Sequence, residues 1–205
     1  FAAVIVTGLA LLVAHGTRNR DAWLPRLLAR LVTLGYALPG AVIAVGVLVF
    51  IAPVDHQVTD FFETLGRTER SLLLTGTITG LIYAYLVRFM SVGFSSVDSS
   101  MEKVTPSMTQ AARVMGANPV RIMARVQAPL VSAGMVAGAI LVFVDVMKEL
   151  PATLLLRPFG MDTLALWAYF LAAEAFWQAA AIPALTILAV GLIPVIILMR
   201  IGDRM

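Results

Sequence analysis

The sequence contains no cysteine, which excludes a disulfide framework, a thiolate nucleophile and a thiolate metal site. Its two histidines, His15 and His56, stand far apart and read as loop residues, leaving no histidine cluster to hold a metal. Charge is also scarce: 13% of the 205 residues are Asp, Glu, Lys or Arg, against roughly a quarter in soluble domains. No GxxxxGKS or GxxxxGKT phosphate loop occurs, so nothing in this chain cradles ATP phosphates in that way. No catalytic group, resident metal or cofactor is expected.

What the chain has instead is apolar surface. Hydrophobic residues make up 60% of it and the mean hydropathy is +0.92, more than a soluble domain of this size can bury. Lipid is the implied solvent, and the fold class expected is an all-α polytopic membrane helix bundle. A crossing takes about 20 apolar residues. Charge-free windows place spans within residues 31–54, 71–87, 126–144 and 179–199, and a partial one over Phe1–Ala14 that reads as truncated, making the chain a fragment. The stretch between Asp162 and Glu174 is too short to cross and suits a short non-spanning helix.

The net charge of +3 could suggest nucleic acid, but the layout of the basic residues is that of a membrane protein. Lysine and arginine concentrate in 15–31, 88–130 and 200–205, which are therefore expected on the cytoplasmic side, whereas 53–70 and 148–178 are richer in acids and expected outside. That alternation requires five crossings and a 148–178 segment that does not cross. Arg88, at the inner end of the third span, is expected to snorkel to the headgroups. Gly76 with Gly80, and Gly134 with Gly138, have the GxxxG spacing of closely packed helices. Pro39, Pro183 and Pro194 are expected to kink spans two and five.

Residues 91–130 are long for an inter-span connection and carry their own helix punctuation. Pro106 and Ser107 suit a helix start, and Met108, Ala111, Ala112 and Met115 form one apolar stripe. Gly116 can adopt the left-handed backbone that ends a helix. Asn118 and Pro119 then suit an N-cap and first turn, with Arg121 and Arg125 four residues apart. The spacing predicts helix, glycine turn, helix.

Gln110-Ala111-Ala112, three residues, Gly116, nine residues, then Val126-Gln127-Ala128-Pro129 resembles the EAA loop of permease subunits of binding-protein-dependent ABC importers. The chain departs from that pattern at Gln110, Val126 and Ala128 and keeps its alanines, glycine, proline and spacings. The segment from Leu141 to Ala165 and the run "LGYALPGAVIAVGVL" resemble ferric-iron-type permeases, and the match is to the C-terminal half of their duplicated chains. The resemblance implies one transmembrane permease domain over 1–205, with 91–130 as the cytoplasmic loop that couples to an ATPase. Its coupling residues would be Gln110, Ala111, Ala112, Gly116, Ala117, Pro119, Arg121, Arg125 and Pro129. Implied partners are a separate ATP-binding cassette ATPase, a periplasmic solute-binding protein, a second permease half on the same or a homologous chain, and the inner-membrane bilayer; nucleic acid is not among them. Thiamine, polyamine and sulfate permeases share the loop, and a channel or secondary transporter not coupled to ATP is the reading of a different class.

Asp145, Lys148 and Glu149 share a helical face near the outer end of span four. Two readings stand side by side. Asp145 and Glu149 line an outer mouth on the translocation pathway, or Lys148 neutralises both and the trio anchors the helix, with Pro151 ending it. Arg157 and Asp162 flank the short outer helix as docking contacts for a binding protein or as solvated loop charges.

Overall fold

The computed structural model describes residues 1–18, 23–64 and 73–202, and every regular element among them is helical. The chain forms two compact units from separated stretches of sequence: residues 1–37, 89–143 and 198–205 in one, 38–88 and 144–197 in the other. Ser71, where the third span is expected to start, lies outside the described residues, as do Arg20, Arg67, Arg70 and Arg204, which enter the count of loop charges.

Among the described residues three helices are long and apolar enough to cross a bilayer: α3 (Gly40–Thr64), α4 (Ile78–Met101) and α10 (Trp177–Gly202). A fourth span arises if Pro119–Leu130 and α7 (Ser132–Met147) count as one helix bent by 77°. The apolar α1 (Ala2–Thr17) is shorter, at 16 residues. This is a multi-pass membrane protein, and α10 leaves Leu185, Leu188, Ile193 and Ile197 exposed, as a helix facing lipid does. The short α9 (Leu164–Ala173) has ten residues, about 15 Å, half a hydrocarbon core of about 30 Å. Thr163 starts it by accepting a hydrogen bond from the Leu166 amide at 3.3 Å.

The charge-free windows misplace several boundaries. The window 31–54 is divided. Residues 23–34 form a separate amphipathic helix, α2 (Trp23–Leu34), with Leu24, Leu27, Leu28 and Leu31 exposed, followed by a 3-10 turn at Gly35–Ala37. Pro39 stands before α3 rather than inside it, because proline removes an N–H and disfavours helix in the residue before it. Pro183 and Pro194 do lie inside α10. Helix α3 runs on past Pro53 and the charge of Asp55 to Thr64. Likewise α4 begins at Ile78 and continues through Arg88 to Met101, so residues 91–101 are spanning helix rather than connection.

Asp55 does not end its helix because its charge is satisfied on the spot. The carboxylate is 1% exposed and accepts from the amides of Leu73 at 3.0 Å, Leu74 at 2.9 and 3.1 Å, and Thr75 at 2.5 Å. It pins the turn that leads into α4, where Gly76 takes φ +67°. Gly76 is therefore a turn residue and not half of a helical GxxxG pair, and a Cβ on Gly80 would collide with the Leu74 carbonyl. Asp55→Ala would take the acceptor from three part-buried amides, at up to about 1–3 kcal/mol for each one that water does not reach. Thermal unfolding in detergent is expected to show a clear drop in midpoint, larger than for Asp60→Ala on the exposed side of the same helix.

In the first unit α1 packs on the second half of α4, with Ala10, Leu11, Ala14, Phe94, Val97, Met101 and Val131 sharing one buried cluster. Gly134 and Gly138 of α7 lie against Ser100, Ser96 and Gly93 of α4, so this pair packs within the bundle, as expected. In the second unit α3 packs on α8 (Pro151–Leu156).

Candidate functional site

The helix-turn-helix read from residues 105–122 is present. Helix α5 (Pro106–Val114) starts at Pro106, as expected, with Thr105 as its N-cap. It ends in a Schellman turn: the Gly116 amide donates to Arg113 O at 2.9 Å and the Ala117 amide to Ala112 O at 3.0 Å. Gly116 has φ +80°, the left-handed geometry that glycine adopts without a steric penalty. The Asn118 side chain accepts from the Arg121 amide at 2.8 Å and Pro119 begins α6 (Pro119–Ile122).

Exposure divides the expected apolar stripe. Ala112 is buried at 4% and faces into the protein. Gln110, Ala111, Met115 and Gly116 are exposed, with Val114 at 89% and Val120 at 67%. Arg121, Arg125 and Pro129 are exposed as well, and Ala117 is half-buried. The hairpin thus holds itself in place through Ala112 and Ile122 and presents small and apolar residues outward.

After α6 the backbone widens into a π turn over Met123–Gln127, then passes through Ala128–Leu130 to the bend before α7. Gln127 is 2% exposed, and its Oε1 lies 2.6 Å from His15 Nδ1 in the last turn of α1. Both histidines are helical rather than loop residues, His56 standing within α3. His15 escapes a sequence reading because its partner lies 112 residues away.

The charged trio of Asp145, Lys148 and Glu149 also divides. Lys148 Nζ pairs with Asp145 Oδ1 at 2.9 Å. Glu149 is 5% exposed and turns to another partner, Arg88, with Nε to Oε2 at 2.9 Å. Glu149 thus has a cationic partner from outside the trio. Glu149 Oε1 also accepts from the Ala152 amide at 3.1 Å, and Pro151 starts α8 instead of merely ending its predecessor. Arg88 is the eleventh residue of the 24-residue α4, so it sits at mid-helix and meets a carboxylate, not headgroups. Its Nη1 also donates to Leu38 O at 3.1 Å. Beside this pair the Tyr85 and Thr153 hydroxyls are 2.5 Å apart, and Thr153 donates to Glu149 O at 2.6 Å. Sequence reading missed Arg88 as a site residue, although it is the one charge between Arg70 and Asp98. Arg157 and Asp162 bond to each other, and Arg157 also reaches Met161 O at 3.0 Å and covers the Phe170 ring at 5.6 Å. Among the described residues no group of three His, Asp or Glu side chains is placed to hold a metal.

The chain is similar to known proteins. The Fe(3+)-transport system permease protein FbpB 2 of Haemophilus influenzae is 28% identical over 171 residues, which cover 83% of this chain and 31% of that protein. This chain thus spans about a third of the length of that relative. The crystal structure of a bacterial ABC transporter involved in importing the acidic polysaccharide alginate superposes with TM-score 0.65 at 15% identity, covering all of this chain and 77% of the other. The alginate transporter in complex with an alginate pentasaccharide-bound periplasmic protein superposes with TM-score 0.71 at 14% identity, covering all of this chain and 73% of the other. These two likenesses establish a shared fold. The family described as the binding-protein-dependent transport system inner membrane component matches residues 6–205. That match takes in the exposed hairpin, the bent α7 and the apolar helices alike, and the chain belongs to this family of membrane permease components.

Proposed function

We propose that this chain is a permease component of an ATP-driven importer in the bacterial inner membrane and that it carries ferric iron inward. The exposed hairpin of α5 and α6 carries this reading: a rigid, glycine-turned element that ends in small and apolar residues with no cover of their own. A separate ATP-binding cassette ATPase seats on it through Ala111, Met115, Gly116 and the residues around them. Gln110, Arg121 and Arg125 ring the contact, and Ala117, Pro119 and Pro129 shape its backbone. Hydrolysis takes place on that ATPase. Its closure pushes the hairpin, and because α6 continues through the π turn into the bend before α7, the push enters a spanning helix and drives alternating access as a rigid-body motion.

The distribution of basic residues supports a hairpin and C-terminus on the cytoplasmic side, with 148–178 facing the periplasm. There a periplasmic solute-binding protein delivers its cargo, and a second permease half completes the pathway. Asp145, Lys148, Glu149 and Pro151 belong to that pathway or its outer gate. Ferric iron is supported by the name of the Haemophilus influenzae relative; thiamine, polyamine and sulfate are the competing cargoes. Proteoliposomes holding the full importer should take up labelled ferric iron only with ATP inside the ATPase-facing compartment. Thiamine uptake in place of iron would change the cargo, and uptake indifferent to ATP would overturn the importer reading.

A further inference from the structure

A full charge in the middle of a spanning helix is costly unless it is paired, and such residues mark moving or conducting parts of membrane proteins. Arg88 is such a charge, paired with Glu149 just past the end of α7, and three features set the pair apart from a simple structural bridge. The pair joins the two sequence stretches of its unit, Arg88 ending the first and Glu149 standing near the start of the second. Each partner also holds a place where a helix is interrupted. Arg88 bonds the Leu38 carbonyl in the non-helical step before α3, and Glu149 bonds the Ala152 amide in the first turn of α8. Finally, the fit is tight: a Cβ on Gly40 would come within 2.5 Å of Glu149 Oε1 and 2.8 Å of Arg88 Nη1. Glycine at position 40 lets the start of α3 close directly onto the two charged groups.

We propose that Arg88 and Glu149 form a mid-span latch that keeps the starts of α3 and α8 drawn onto α4 in the resting permease, and that the pathway opens only when this pair separates. The inference rests on the importer reading. A latch accounts for the use of ions where apolar side chains would pack as well: an ion pair in a low-dielectric setting is strong when closed and loses its energy steeply as it parts. It also accounts for the bond that each partner makes to a helix break, at Leu38 before α3 and at Ala152 in the first turn of α8, because a break can swing where a continuous helix cannot. Arg88 and Glu149 are positioning residues on this account. They hold the resting state and need not touch the solute.

The test uses the full importer with its ATPase and binding protein in proteoliposomes. Arg88→Gln/Glu149→Gln removes both charges and leaves neither orphaned. It is expected to raise ATP hydrolysis in the absence of binding protein on the order of tenfold, a shift typical of a two-state equilibrium released from one strong contact. Labelled ferric iron moved per ATP should fall in parallel. A merely structural pair would lower the amount of folded transporter and leave the ratio of basal to stimulated hydrolysis unchanged. If the doubly neutral protein does not accumulate, Arg88→Lys decides: it keeps the charge but cannot hold Glu149 and Leu38 together through a forked group. Raised basal hydrolysis in that variant supports the latch, and the parental level overturns it. Parental basal hydrolysis in the doubly neutral variant overturns the latch while leaving the importer reading intact. A parent that moves no solute with ATP makes the importer reading fail instead.

Discussion

Gly116→Leu is expected to leave a folded membrane protein that no longer couples hydrolysis to transport. Position 116 has φ +80°, where a residue with a Cβ costs roughly 1–2 kcal/mol, too little to unfold the chain. Nothing lies within 4 Å of the position a Cβ would take, so the protein itself makes room for a leucine. The side chain would project from the tip of the hairpin into the space assigned to the ATPase. ATP-driven uptake should fall on the order of a hundredfold, equivalent to about 2.7 kcal/mol of lost docking or transmission. Gly116→Ala separates the two causes, because it carries the same backbone strain with little bulk. Its uptake should stay within a few-fold of the parent, whereas loss equal to that of leucine would trace the defect to the turn. Ordinary binding-protein-stimulated uptake by the leucine variant would refute the docking role of the hairpin.

The largest effect on folding is expected at Gly134. A Cβ there would lie 2.7 Å from the Ser96 carbonyl oxygen and would also collide with the Ser100 side chain. A rotamer change can relieve a clash with a hydroxyl, but the carbonyl belongs to the α4 backbone and moves only with that helix. Gly93, on the same stretch of α4, leaves only 2.7 Å between a would-be Cβ and Val6 Cγ1 of α1, so α4 is closely packed on both sides. Gly134→Ala should destabilise by about 1–3 kcal/mol, the usual cost of overpacking, and Gly134→Leu should not accumulate in membranes. The contrast is Gly8→Ala on α1. No atom lies within 4 Å of a Cβ there, and replacing a helical glycine by alanine gains up to about 1 kcal/mol. Thermal midpoints of the two alanine variants should therefore move in opposite directions, and movement in the same direction would contradict the packing described.

The parts of this protein legible in its sequence are those whose causes are local. Gly116, Asn118 and Pro119 write a helix end and a helix start within four residues, and the hydrogen bonds at each are as the residue types dictate. What was not legible depends on residues distant in sequence. Asp55 looks like the end of a span until the amides of residues 73–75 are brought to it. Arg88 looks like the membrane edge until Glu149 is found beside it. In a lipid-soluble chain a charge marks a boundary only when it is unpaired, and pairing is a tertiary property. The amphipathic α2 was missed for a different reason. Its leucines recur at helical spacing, but a search for uncharged windows passes over any segment studded with arginine.

The hydrogen bond between His15 and Gln127 gears α1 to the elbow beneath α7. At 2.6 Å it has little slack, and its acceptor is shut away from water that could replace it. Torque applied at the π turn must therefore rotate the foot of α1 or break a contact that no solvent stands ready to repair.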